Sequence, residues 1–175
     1  MRASLLALLL VVSIPAAAQS ADALYQRACG PKDAEFDVKQ VQKQPPAAPE
    51  PGKALVYIIQ SDYGFPFTTR VGLDGAWVGV IQRDSYIVVS VAPGEHHGCV
   101  AGQNRKHPET ELVHFTAEAG KVYYYLVRGI AAGGNLEEGY AMSFGPVDRD
   151  EALYLIASDP QSNATPHSVA THSQH

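Results

Sequence analysis

The residues of this chain best suited to chemistry are its histidines. Glu95, His96 and His97 are consecutive, and His107 and His114 follow downstream. Imidazole nitrogens with a carboxylate oxygen are ligands for zinc and similar divalent ions. Glu95, His96, His107 and His114 therefore form the candidate metal set, and with it the candidate site of a metal-dependent enzyme. That set needs His96 and His114 on the same side of neighbouring strands. Successive strand residues point to opposite faces, so His96 and His97 do not share an ion unless a bulge intervenes. A polar strand edge after the Pro93-Gly94 turn explains the same residues more simply. On that reading no metal and no cofactor is expected.

The other constellations are weaker. Serine, histidine and aspartate all occur, but no G-x-S-x-G elbow does, and Ser85 and Ser90 sit in ordinary turn and strand contexts. Asp74 is explained by a turn, Asp148 by a helix cap, and Glu137-Glu138 by a solvated loop, which leaves no facing carboxylate pair for glycoside chemistry. Gly133-Gly134 lacks the following helix and basic residue of a phosphate cradle. No catalytic residue is assigned, and a non-catalytic role is expected. Aromatics are the better lead for binding: Tyr63, Phe65 and Phe67 cluster in and beside a Gly/Pro loop, where side chains that escape burial make contact surfaces for proteins or glycans.

These residues must be positioned by a strand-rich domain. Ala54-Leu55-Val56-Tyr57-Ile58-Ile59 is a β-branched and aromatic run suited to a central strand. Thr68–Leu73 and Ala76–Ile81 flank Asp74-Gly75, the strongest hairpin signal in the chain, because both turn positions tolerate positive φ. Tyr86–Val91 and Glu95–Val100 follow. Glu111–Thr116 and Val122–Val127 read as another hairpin, and Tyr140–Phe144 as the last strand. Tyr123 and Tyr125 share one strand face while Tyr124 points the other way. Asp148 and Glu151 form a capping box for a short helix whose apolar side is Leu153, Tyr154 and Ile156. Phe36 and Val38 suggest a short strand further upstream. The expected fold is mainly β, an antiparallel sandwich or flattened barrel with a C-terminal helix.

Length and charge agree. With 175 residues there is enough chain for one ordinary core. A net charge of −5, with no lysine–arginine run, argues against nucleic acid as a partner. Residues 1–18 read as a signal peptide: Arg2, an apolar run from Leu5 to Ile14, then Pro15-Ala16-Ala17-Ala18. The run is shorter than the roughly 20 residues of a spanning helix, and no other stretch is apolar enough to cross a bilayer. Cleavage after Ala18 leaves 157 of the 175 residues and, with Arg2 gone, a charge of −6. Residues 19–41 then form an N-terminal segment, 42–52 a proline-rich linker, 53–158 the β-domain, and 159–175 a disordered tail without periodicity. In an oxidising compartment Cys29 and Cys99 are expected to bridge, pinning the N-terminal segment to the domain.

The order of these pieces resembles a known family. Lys53–Ile58, Thr69-Arg70-Val71-Gly72-Leu73-Asp74-Gly75-Ala76-Trp77-Val78-Gly79, Ser85-Tyr86, Val91-Ala92-Pro93-Gly94-Glu95-His96-His97 and Ala119-Gly120-Lys121-Val122-Tyr123-Tyr124-Tyr125 are similar to the motifs of an uncharacterised bacterial exported-protein family, domain of unknown function number twenty-eight forty-six. The resemblance spans roughly 53–156. It implies an exported protein, periplasmic or secreted, and implies no reaction, ligand or catalytic residue. The sequence thus leads to a binding or assembly module of the bacterial envelope, with an envelope protein or glycan as partner.

Overall fold

A computed structural model describes residues 20–42, 47–61, 67–103, 109–131 and 140–166. The expected signal peptide, Tyr63, Phe65, His107, the Gly133-Gly134 loop and residues 167–175 lie outside them. A helix α1 (Ala21–Ala28) is followed by strands β1 (Phe36–Val41), β2 (Ala54–Ser61), β3 (Thr68–Leu73), β4 (Ala76–Gln82), β5 (Ser85–Val91), β6 (Gly94–Gly102), β7 (Thr110–Ala117), β8 (Val122–Ala131) and β9 (Tyr140–Pro146). Helix α2 (Arg149–Ser158) and strand β10 (Gln161–Pro166) complete the order. The strands form two sheets, β1-β10-β5-β2-β8-β9 and β4-β3-β6-β7, packed as a sandwich rather than a closed barrel.

The four-stranded sheet is antiparallel throughout. The six-stranded sheet is mixed, because β2 pairs with β8, and β10 with β5, in parallel. This corrects the expected β7–β8 hairpin: β7 pairs with β6, while β8 crosses to the other sheet and lies between β2 and β9. The turn carries left-handed Gly120, whose N–H donates to Lys53 O at 2.8 Å. It fastens onto β2 instead of folding β8 back on β7.

Strand β2 is buried from Ala54 to Gln60 because both its faces are covered. Val56 and Ile58 join Val71, Ile81, Ile87, Val100, Tyr125 and Val127 between the sheets. Leu55, Tyr57 and Ile59 join Tyr86, Leu126, Ala152 and Ile156 beneath α2. Tyr125 and Tyr124 fall into these two layers respectively, as strand alternation requires.

Helix α2 is capped by Asp148, which accepts from the N–H groups of Asp150 and Glu151. Glu151 does not reach back to close a capping box; its carboxylate pairs with Arg128 of β8. The helix buries Ala152 and Ile156, with Leu155 packed beside them, while Tyr154 is 72% exposed. A face defined by positions 152, 155 and 156 follows the helical repeat better than the expected 153, 154 and 156.

Residues 161–166 form β10, not part of a disordered tail. This strand runs antiparallel along all of β1, from Phe36↔Pro166 to Val41↔Gln161. Its composition hides it, because these are largely backbone pairings at a sheet margin. The Ser162 hydroxyl adds bonds to Ser85 Oγ and to the N–H of Gln82.

Candidate functional site

The outer face of the four-stranded sheet carries the side chains that the core does not need. Its geometry starts at a bulge. Val71 pairs with Gly79 and Gly72 with Trp77, so Val78 is skipped in the ladder. Gly79 faces the core, where an added Cβ would meet Ile87. Strict alternation would send Trp77 the same way; the extra residue reverses it and turns the indole outward.

There Trp77 meets the N-terminal segment. Its Nε1–H donates to Pro31 O at 2.8 Å, and its other neighbour is Gly30, where a Cβ would come within 2.4 Å of Cδ1. The Arg70 guanidinium lies 4.7 Å from the ring centroid. Arg70 is buried; its Nη1 donates to Lys32 O at 3.0 Å and Ala34 O at 2.8 Å. Burial pulls its pKa down, against the opposing influence of Tyr25 and Glu35, yet a guanidinium stays charged. Carbonyl dipoles and the indole face stabilise it.

Cys29 and Cys99 form a disulfide, with Cα atoms 5.6 Å apart, that fixes the end of α1 to β6. Gly72 makes room for it: a Cβ there would fall 2.8 Å from both Ala28 O and Cys99 Sγ. Bridge, arginine and tryptophan together hold residues 29–36 on the sheet. Between that loop, the β3–β4 turn and the end of β10 lies an open groove of about 500 Å³, lined by Asp33, Glu35, Phe36, Ala76, Trp77 and Pro166. Among the described residues its charged lining side chains are the carboxylates Asp33 and Glu35, both exposed.

The histidines divide between faces. His96 is buried, its ring centroid 5.4 Å from that of Phe115 on the inner side. Its Nδ1 lies 2.6 Å from Asp74 Oδ2 and its Nε2 2.8 Å from Ala92 O. A carbonyl only accepts, and so does an ionised carboxylate; the doubly protonated ring satisfies both contacts, so the geometry favours the imidazolium form of His96. Burial alone would lower its pKa, but the Ala92 carbonyl and the Asp74 carboxylate outweigh it and the net shift is upward. Asp74 occupies the hairpin turn at φ +51°, beside Gly75 at +83°. Its Oδ1 also accepts from the N–H of His97 at 2.9 Å. This ion pair clips the β3–β4 turn to β6.

His97 and His114 lie outside, directly opposite each other on β6 and β7, with Glu95 on the same face. His96 and His114 therefore point to opposite sides of the sheet, so the described members Glu95, His96 and His114 of the expected set are not brought together, and His107 lies outside the described residues. Among the described residues no group of three or more His, Cys, Asp or Glu side chains is assembled to hold an ion. Of the aromatic trio expected to contact partners, Phe67 is 7% exposed and packs in the core against Gly129, whose added Cβ would fall 2.8 Å from its ring. It is a core residue, because it marks the start of β3 rather than the loop proper.

Sequence reasoning missed Trp77 and Arg70 as a pair. The lone tryptophan was visible, but its outward aim depends on the bulge. No helix among the described residues is long and apolar enough to cross a membrane. The disulfide and the lack of such a helix among these residues are both compatible with an exported protein. Compared with known proteins, the chain matches no family model, no curated protein and no solved structure.

Proposed function

We propose that this protein is an exported, non-catalytic binding or assembly module of the bacterial cell envelope, and that it engages its partner in the groove beside Trp77. The observation that carries the reading is the groove's construction. A disulfide, a buried arginine and an indole hydrogen bond hold a loop of otherwise irregular chain against a sheet face. The concavity of about 500 Å³ that remains is walled by aromatic and acidic residues. Preorganisation of this kind reduces the ordering cost of binding.

Asp33 and Glu35 favour an envelope-protein segment bearing lysine or arginine over a neutral glycan, with Trp77 and Phe36 offering apolar contact. Export is supported by the Arg2-led apolar segment and by the disulfide. A metal-dependent enzyme at Glu95, His96, His107 and His114 is disfavoured, because His96 is committed on both nitrogens.

Trp77 is the only tryptophan, so its emission reports the groove directly. Titration with a lysine-rich peptide should shift that emission saturably, and more weakly as salt is raised. Asp33→Asn/Glu35→Gln should weaken the response at least tenfold in a chain that stays folded, as circular dichroism would show. A response unaffected by the double substitution, or none with peptide but one with an envelope oligosaccharide, would sink the basic-segment reading.

A further inference from the structure

The outer face of β6 and β7 presents a second arrangement, independent of the groove. His97 and His114 are direct cross-strand partners. Their rings stack with centroids 4.7 Å apart and planes inclined by 24°. Glu95, two residues before His97 on the same face, places Oε2 4.0 Å from His114 Nε2. His114 is about half exposed, so its ring can turn. The Nε2 of His97 is buried and has no hydrogen-bond partner among the described residues. A buried ring nitrogen left unsatisfied calls for a water or an ion.

The chemistry of the pair suits an ion. Burial, then the charges of Arg27 and His114, lower the pKa of His97 despite opposing pulls from Asp74 and Glu95. A neutral imidazole is the form that ligates metal. We propose that His97 and His114 form a two-imidazole chelate for a divalent transition-metal ion such as zinc or copper, with Glu95 as the neighbouring negative charge.

Geometry permits this with side-chain motion alone. Metal–nitrogen bonds of about 2.0–2.1 Å at a tetrahedral angle place the two nitrogens about 3.3 Å apart. Directly opposed strand residues already hold their Cβ atoms at roughly 4.5–5.5 Å. The stacked rings need only rotate until their edges converge, and solvent completes the coordination. Arg27 is the nearby cation that opposes the ion; Glu95 and Asp74 counter it. Imidazole ligands suit both metals, with copper the tighter. A bound ion would tie β7, the margin of its sheet, to β6.

The test is calorimetric titration of the full chain, disulfide intact, with zinc and copper salts, and histidine ring signals followed by NMR. His167, His172 and His175 near the C-terminus are alternative ligands, so His167→Asn/His172→Asn/His175→Asn serves as the background. In that background one equivalent of zinc should still bind, shifting the ring signals of His97 and His114 and not those of His96, and raising the thermal midpoint. His114→Gln or His97→Gln should lower the affinity at least tenfold. His114 is the exposed member of the pair, so its variant should unfold at the unchanged metal-free midpoint. Loss of binding with the three C-terminal substitutions, or unchanged affinity in both glutamine variants, would overturn the proposal and leave His97 and His114 as a plain cross-strand ring pair.

Discussion

Replacing Asp74 with asparagine tests the assignment of His96 as a structural cation. Asparagine tolerates the left-handed turn position, and its amide oxygen can still accept from the His97 N–H, so the hairpin survives. What is lost is the charge facing His96 Nδ1 at 2.6 Å. A net hydrogen bond between charged groups contributes roughly 1.5–3 kcal/mol. The Asp74 side chain is 45% exposed, and solvent screening reduces that to about 1–1.5 kcal/mol. At about 2–4 °C per kcal/mol for a chain of this size, the thermal midpoint should fall by a few degrees.

The pH dependence is the sharper part of the prediction. The pKa of His96 is higher folded than its unfolded value of about 6.5. The stabilisation is therefore complete below pH ~6.5 and is lost as pH rises through the folded pKa. Urea unfolding of both proteins at intervals from pH 5.5 to 9 should show the wild type ahead by about 1–1.5 kcal/mol at the acid end. The gap should close toward the alkaline end. His97, whose lowered pKa costs stability as pH falls below about 6.5, adds to the same trend: losing Asp74, which pulls that pKa upward, deepens the cost in the variant and widens the gap at the acid end. A gap that stays constant, or widens with rising pH, would refute the imidazolium assignment.

Other predictions follow from the same contacts. Cys29→Ser/Cys99→Ser opens a bridge between residues 70 apart and should cost about 4 kcal/mol by chain entropy, with amide protection over 20–34 lost first in hydrogen exchange. Trp77→Phe keeps a ring beneath Arg70 but loses the bond to Pro31 O; a loss of about 1 kcal/mol in urea unfolding is expected. Gly129→Ala should cost about 1–3 kcal/mol, because its methyl is forced against the buried Phe67 ring. Truncation after Asp159 removes the partner of β1, so limited proteolysis should cut within 35–42 in the shortened chain and not in the full one.

Much of the fold was readable because core strands write their burial into composition. Ala54–Ile59 could only be a strand covered on both sides, and Asp74-Gly75 could only be a tight turn. What could not be read was where a turn sends the chain next. Gly120 signals a reversal equally well whether β8 returns on β7 or crosses to β2, and a hydrogen bond to Lys53 O, distant in sequence, decides it. Strand β10 was invisible because Gln-Ser-Asn-Ala-Thr-Pro has no apolar alternation; it is held by the backbone of β1. The histidines were visible as a group, but their sorting between the two faces was not. Only the register of β6 against β7 shows that His97, and not His96, shares a face with His114.

That sorting bears on where function can lie. The outer face of the six-stranded sheet is covered by α2 over Tyr57, Ile59, Tyr86 and Leu126. On the four-stranded sheet α1 covers much less: its buried contribution is Ala28 with Cys29, supported by Tyr25 and Trp77. Past that contact the same face carries Glu95, His97, Leu112, His114 and Thr116, with Leu112 still 42% exposed. A sheet face left half-covered has less to do for stability, so side chains there are freer to serve recognition. The groove and the histidine pair both belong to this face, on either side of the disulfide. A partner that spans both should therefore protect Trp77 from fluorescence quenchers and His114 from alkylation together, whereas protection of only one would assign the two features to different ligands.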